Sequence, residues 1–161
     1  MNVRPYQSAD LTALHRINEE NAPAVGSVSA DELDAVIAMA NWTLVVEVER
    51  EIAGFVVCLV EGKDYGSLNY TWISERYPSF AYVDRIAISA AFQNRGVGRK
   101  LYAALETHIG DQRPMINLEV NEQPPNPGSV RFHHAIGYED IGRRATEDGS
   151  YAVVYMSKRL T

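Results

Sequence analysis

The run Gln93, Asn94, Arg95, Gly96, Val97, Gly98, Arg99 and Lys100 carries the clearest chemistry in the 161-residue chain. It follows the apolar residues Ile86, Ala87 and Ile88 and leads into a helical repeat of Leu101, Leu105 and Ile109. A buried strand therefore feeds a glycine turn, and the turn feeds a helix. Glycine lets backbone N–H groups approach a ligand with no Cβ in the way. The first-turn amides of a helix lack internal partners, and the helix dipole favours an anion there. Arg95, Arg99 and Lys100 add full positive charges around the same turn. The combination suits a diphosphate. Taken alone, the two glycines would only shape a strand-to-helix turn.

Other phosphate chemistries lack their residues. A nucleotide-binding P-loop needs Gly-Lys followed by Ser or Thr, which does not occur. A dinucleotide fingerprint needs a third glycine where Leu101 stands. There is no Gly-x-Ser-x-Gly elbow for serine hydrolysis. His133 and His134 are adjacent, so on a helix they diverge by about 100°, and no metal site is expected. Cys58 is the single cysteine and sits in an apolar run, as a small core residue would.

The elements that must position these residues are legible from periodicity. Residues 2–6 suit a short strand and 10–20 a helix with Leu11, Leu14 and Ile17 on one face. Ser29 and Glu32 form a capping box before a second helix. Residues 43–48 and 52–60 are β-rich around a polar turn, which predicts a hairpin. The long segment 61–80 holds Tyr65, Tyr70, Trp72, Tyr77 and Phe80, with a short helix expected over 72–77. Strands are expected at 81–88, 115–120, 138–144 and 151–156, and helices at 98–109 and from Asn126 and Pro127 to Gly137. This is a single α/β domain over 1–161, with helices and strands mixed around a central sheet.

The segment from Gln93 to Gly98 resembles the GNAT superfamily pattern Gln/Arg-x-x-Gly-x-Gly/Ala, its pyrophosphate-binding turn. A second segment, Asn126, Pro127, Gly128, Ser129, then Phe132, His133 and later Gly137 and Tyr138, resembles the family's Asn-x-x-Ser-x-x-Phe-Tyr-x-x-x-Gly-Phe. The two stand in family order, and the start with Arg4, Pro5, Asp10 and Leu11 is also family-like. The resemblance implies a GNAT fold: a mixed, mostly antiparallel sheet flanked by helices, splayed between the strand carrying Ile88 and the strand carrying Glu119. It implies acetyl-CoA as co-substrate, with no metal, and transfer of acetyl to an amine.

It also implies roles. Backbone groups of Ile86, Ala87 and Ile88 would meet the pantetheine arm and the acetyl carbonyl, with the Ile88 amide as oxyanion donor. Gln93, Asn94, Arg95, Gly96, Val97, Gly98 and Arg99 would surround the pyrophosphate, and Asn126, Ser129 and His133 would contact the coenzyme further along. Glu119, an acid between Leu118 and Val120, is the first choice as general base; the alternative is a sheet carboxylate paired with an arginine. Asp84 and Tyr82 are reserves. His133 stands where many relatives have a tyrosine thought to protonate the leaving thiolate, so it is either that acid or a packed helix residue. Gln123, Pro124 and Pro125 lengthen the neighbouring loop.

Glu20, Asn21, Tyr65, Tyr70, Trp72 and Asp84 are the candidate substrate residues, although the aromatics could equally pack on the sheet, the favoured reading for Trp72. Residues 1–80 hold 12 acids against 5 bases, within a net charge of −6, which suits a small cationic amine. There is no dense basic stripe for nucleic acid. No secretory signal and no stretch of membrane-span length is present, so the expected location is cytoplasmic with no membrane partner. A homodimer is left open. Two rival functions remain: a protein N-terminal or lysine acetyltransferase, and a non-catalytic acyl-CoA-binding module.

Overall fold

The computed structural model describes residues 1–160. Seven strands form one sheet in the order β1-β2-β3-β4-β5-β7-β6. They are β1 (Asn2–Pro5), β2 (Trp42–Val48), β3 (Glu51–Val60), β4 (Ala81–Ile88), β5 (Met115–Gln123), β6 (Glu139–Ala145) and β7 (Ala152–Arg159). Five helices flank it: α1 (Leu11–Glu20), α2 (Ala30–Met39), α3 (Leu68–Ser74), α4 (Val97–Ile109) and α5 (Pro127–Ala135).

The central strand explains the layering. β3 is apolar from Ile52 to Val60 because both of its faces are covered. Phe55, Val57 and Leu59 pack with Leu14, Ile17, Leu33 and Ile73, so α1, α2 and α3 cover that face. Val56 and Cys58 pack with Leu101, Leu105 and Ile109, so α4 covers the other. The hairpin between β2 and β3 turns on Glu49 and Arg50, both at positive φ, as a tight right-twisting turn requires.

All neighbouring strands are antiparallel except β4 and β5. These two run parallel and pair only at Ala81 with Ile116 and Tyr82 with Asn117. β4 carries an irregularity immediately afterwards: Cys58 faces Val83 and Val57 faces Arg85, so Asp84 is the extra residue. A bulge bends its strand and re-aims side chains. Beyond it β4 and β5 diverge, giving the splayed sheet expected from the resemblance.

Helix α3 begins earlier than the expected 72–77. Ser67 starts it by accepting a hydrogen bond from the Tyr70 amide at 3.2 Å. Aromatic spacing does not reveal such a cap. The capping box on α2 is present, with Glu32 N to Ser29 at 3.1 Å and Ser29 N to Glu32 at 3.0 Å.

The α3 segment is fastened to the far edge of the sheet. Trp72 stacks on Tyr155 with centroids 3.9 Å apart and planes at 7°. The seat exists because residue 142 is glycine: a Cβ there would lie 2.5 Å from the indole. Gly142→Ala should therefore destabilise the fold by about 1–3 kcal/mol, the usual range for overpacking. A urea unfolding curve checks it, and an unchanged midpoint would mean that the indole yields freely.

Candidate active site

The gap between β4 and β5 opens into a cleft of about 730 Å³. Its walls come from the end of α1 and the loop after it, the start of the α3 segment, β4, the turn into α4, β5 and α5. Hydrogen-bond alternation fixes what β4 offers to it. Ser89 donates to Ala53 at 2.7 Å, so in the antiparallel register Ala87 faces its partner strand in the same way. The N–H groups of Ile86 and Ile88 then point towards the gap. The Ile88 carbonyl is already occupied by the Asn21 amide at 3.0 Å, which leaves its N–H as the free group.

At the turn, Gln93, Asn94, Gly96, Val97, Gly98 and Arg99 all line the cleft. Gly96 has φ of 80°, a conformation that favours glycine. Gly98 is needed for another reason than ligand approach. A Cβ there would lie 3.1 Å from the Phe132 ring, so this glycine seats α5 against α4. Arg95 turns away from the cleft, its guanidinium 5.2 Å from the Phe92 ring centre. Asn126 caps α5 by accepting from Ser129 N at 3.4 Å, and Asn126, Ser129 and His133 line the same cleft.

Glu119 lies across the gap from the free edge of β4. The Tyr82 hydroxyl donates a hydrogen bond to its carboxylate. Burial pushes the Glu119 pKa up to about 8, against the lowering effect of that hydrogen bond. Tyr82 itself is held protonated by burial and by the facing carboxylates. Asp84 accepts from the Tyr65 hydroxyl at 2.6 Å and from Arg85 Nε at 2.8 Å. Arg85 also donates to Asn18 at 2.9 Å and to the Gly26 carbonyl, tying β4 to the loop after α1. Asp84 is thus committed to an ion pair.

His133 is buried, and burial lowers its pKa below the ordinary value. Its Nδ1 lies 2.7 Å from the Ser129 carbonyl, so Nδ1 carries the proton and donates there. Its Nε2 lies 2.7 Å from the Tyr102 hydroxyl and accepts from it. This is a neutral imidazole with both nitrogens engaged, the geometry of a packed helix residue.

Asn21, Tyr65 and Asp84 line the cleft, but three other candidate substrate residues stand outside it. Glu20 bridges Arg16 and the Ala90 amide, closing the end of α1 onto the turn after β4. Tyr70 is 3% exposed and donates to the Val60 carbonyl at 2.7 Å, because its ring fills the core beside Phe80 and Tyr82. Trp72 is turned to the back of α3 by its stack on Tyr155.

The sequence reading passed over Asn69, Tyr102, Asn121 and Tyr151, all of which line the cleft. Asn121 could have been found, since it follows Glu119 by two on one strand and shares its face. Tyr151 and Asn69 carry no local signal; tertiary pairing brings them together. Among the described residues no group of His, Cys, Asp and Glu could hold a metal, and no helix is long and apolar enough to cross a membrane.

Residues 11–138 match the Acetyltransferase (GNAT) family. The chain belongs to this family. It is an acyltransferase of the GNAT fold. A curated relative, aminoglycoside N(6')-acetyltransferase type 1 from Klebsiella pneumoniae, is 26% identical over 139 residues, covering 86% of this chain and 67% of the relative. Among solved structures, a ribosomal-protein-alanine N-acetyltransferase from Brucella melitensis superposes with a TM-score of 0.74 at 20% identity, over 99% of both chains. An aminoglycoside 6'-N-acetyltransferase complexed with coenzyme A gives 0.76 at 13% identity, over 100% of this chain and 98% of that one. At these identities the structural likeness speaks for the fold.

Arg99 is exposed at the rim of the turn and has no ion-pair partner among the described residues. Arg99→Glu should weaken coenzyme A binding by roughly tenfold or more, the scale of one lost charged hydrogen bond. Calorimetry on the variant checks it, with the unfolding midpoint expected to stay where it is. Undiminished affinity would move the diphosphate away from this turn.

Proposed function

We propose that this GNAT acetyltransferase moves the acetyl group of acetyl-CoA directly onto a primary amine of a small cationic molecule. The observation that carries the reading is Glu119 in the gap, opposite the unpaired N–H groups of Ile86 and Ile88. The free edge of β4 suits the amides of a pantetheine arm, and the amides from Asn94 to Arg99 suit the pyrophosphate.

The chemistry follows from these positions. An amine reaches the cleft as an ammonium, with a pKa near 10.4 for a lysine-like group. Glu119, in its carboxylate form, takes a proton from it directly or through water. The free amine attacks the thioester carbon, and the Ile88 N–H stabilises the developing oxyanion. The C–S bond then breaks, and the thiolate leaves as a fair leaving group, with a pKa of about 8.5 by analogy with cysteine. The second proton of the attacking nitrogen passes to it through water, giving a neutral amide and free coenzyme A. No acyl-enzyme is invoked, since Cys58 is 0% exposed within the core and burial raises its thiol pKa. The absence of a charged acid at His133 is consistent with an unaided thiolate.

A small acceptor is favoured over a protein chain by the α3 segment, which covers one side of the cleft and is fastened by the Trp72–Tyr155 stack. The aminoglycoside-acetylating relative supports a small amine acceptor as well. A purely binding role is disfavoured by a carboxylate with a pKa near 8 facing the reaction gap.

The test is thiol release from acetyl-CoA across a panel of primary amines, followed by a pH–rate profile. The base works deprotonated, so kcat/KM should climb as pH rises through about 8, the value burial gives Glu119, and level off above it. Glu119→Gln should lower kcat/KM by roughly 10²–10⁴ at neutral pH and remove that limb. Wild-type activity in the variant would send the base elsewhere, Tyr82 or Asp84 being next.

A further inference from the structure

The acceptor side of the cleft contains a hydrogen-bond network with its donors left over. Asn69, at the start of α3, accepts through Oδ1 from Arg144 Nη2 at 2.8 Å and from the Tyr155 hydroxyl at 2.8 Å. Both lone pairs of that oxygen are filled, which fixes the orientation of the amide. Its Nδ2 donates to the Tyr151 hydroxyl at 3.0 Å. Arg144 reinforces the arrangement by donating through Nε to Tyr155 at 3.0 Å and by lying 5.6 Å from the Tyr151 ring centre.

Donor counting then gives the polarity of this wall. Among the described residues, the second N–H of Asn69 and the O–H of Tyr151 have no acceptor, and both side chains are half-buried on the cleft lining. Beside them, the hydroxyl protons of Tyr65 and Tyr82 are already spent on Asp84 and Glu119. Glu119 pairs with Tyr155 across β5 and β7, and Tyr155 holds Asn69, so the rest of an amine bound at Glu119 meets these donors.

We propose that Asn69 and Tyr151 select acceptor amines that carry oxygen substituents, hydroxyl or ether, and that Arg144 is a positioning residue acting through Asn69. This rests on the amine-acetylation reading above and adds a requirement on the rest of the acceptor. A neutral oxygen accepts from both donors. A hydrocarbon amine leaves them desolvated and unpaired, which costs binding.

The experiment compares glucosamine with cyclohexylamine, similar six-membered rings with and without oxygens, using acetyl-CoA and the full chain. Each variant is referred to wild type on the same amine, so the different basicities of the two cancel. Tyr151→Phe should lower kcat/KM for glucosamine by about tenfold, mainly through KM, as expected for one lost hydrogen bond. Turnover of cyclohexylamine and the KM for acetyl-CoA should stay within about twofold, inside the scatter of a substitution away from the reacting atoms. Because Arg144 also favours the charged form of Glu119, its variants are compared on the high-pH plateau. There Arg144→Met should give the same selective loss, and Arg144→Lys, which can still donate to Asn69, should restore part of it. Equal losses on both amines, or none, would overturn the proposal. So would a wild-type enzyme that acetylates cyclohexylamine and ignores glucosamine, although amine acetylation would then stand. If wild type releases thiol with neither of these amines nor with any other in the panel, both readings fall together.

Discussion

The short parallel pairing of β4 with β5 is the constraint on which the site depends. Two residue pairs hold the strands together at Ala81 and Tyr82, and the bulge at Asp84 then turns β4 away. A sheet interior normally satisfies its own backbone groups. Here the divergence leaves N–H groups of β4 without a neighbouring strand, beside a carboxylate on β5. The seven-stranded sheet and its two apolar layers keep this break from spreading. The break makes a slot of strand-like geometry, suited to an extended ligand with amides of its own.

The electrostatics of the slot follow from the same break. Glu119 lies deep in the cleft beneath Tyr82, and its partial burial there raises its pKa to about 8. Of the charged groups beside it, Asp84 and Arg85 neutralise each other at 2.8 Å, and Arg144 favours its charged form. On the proposed mechanism Glu119 is therefore held largely protonated near neutrality, and an entering cation favours its carboxylate form. The ion pair also sits on the bulge, where Arg85 ties β4 to Asn18 and Gly26.

Much of this was legible in the sequence where the signal was local. The capping box of α2, the hairpin at Glu49 and Arg50, and the strand–glycine turn–helix from Ile86 to Leu101 follow from propensities acting over a few residues. Glu119 drew notice because an acid in an apolar strand is conspicuous, and it lines the cleft. Trp72 and Tyr70 could not be assigned, because aromatic residues in a long connection serve equally as pocket walls and as core. What decides is tertiary: a glycine at 142 that opens a seat for one ring, and a free Val60 carbonyl that draws in the hydroxyl of the other. Asn69 and Tyr151 were invisible for the same reason, being 82 positions apart in the chain. Gly98 was expected to give a ligand access to the backbone, and the structure adds a separate reason for its small size in the Phe132 ring.

That contact between Gly98 and Phe132 has an evolutionary corollary. The two positions share one volume, so neither can change size alone. A larger residue at 98 requires a smaller one at 132, and the exchange would shift α5 relative to the first turn of α4. Because Asn126, Ser129 and His133 ride on α5, such an exchange would move them relative to that turn. Lineages descending from this chain should therefore vary at 98 and 132 in concert, or keep both.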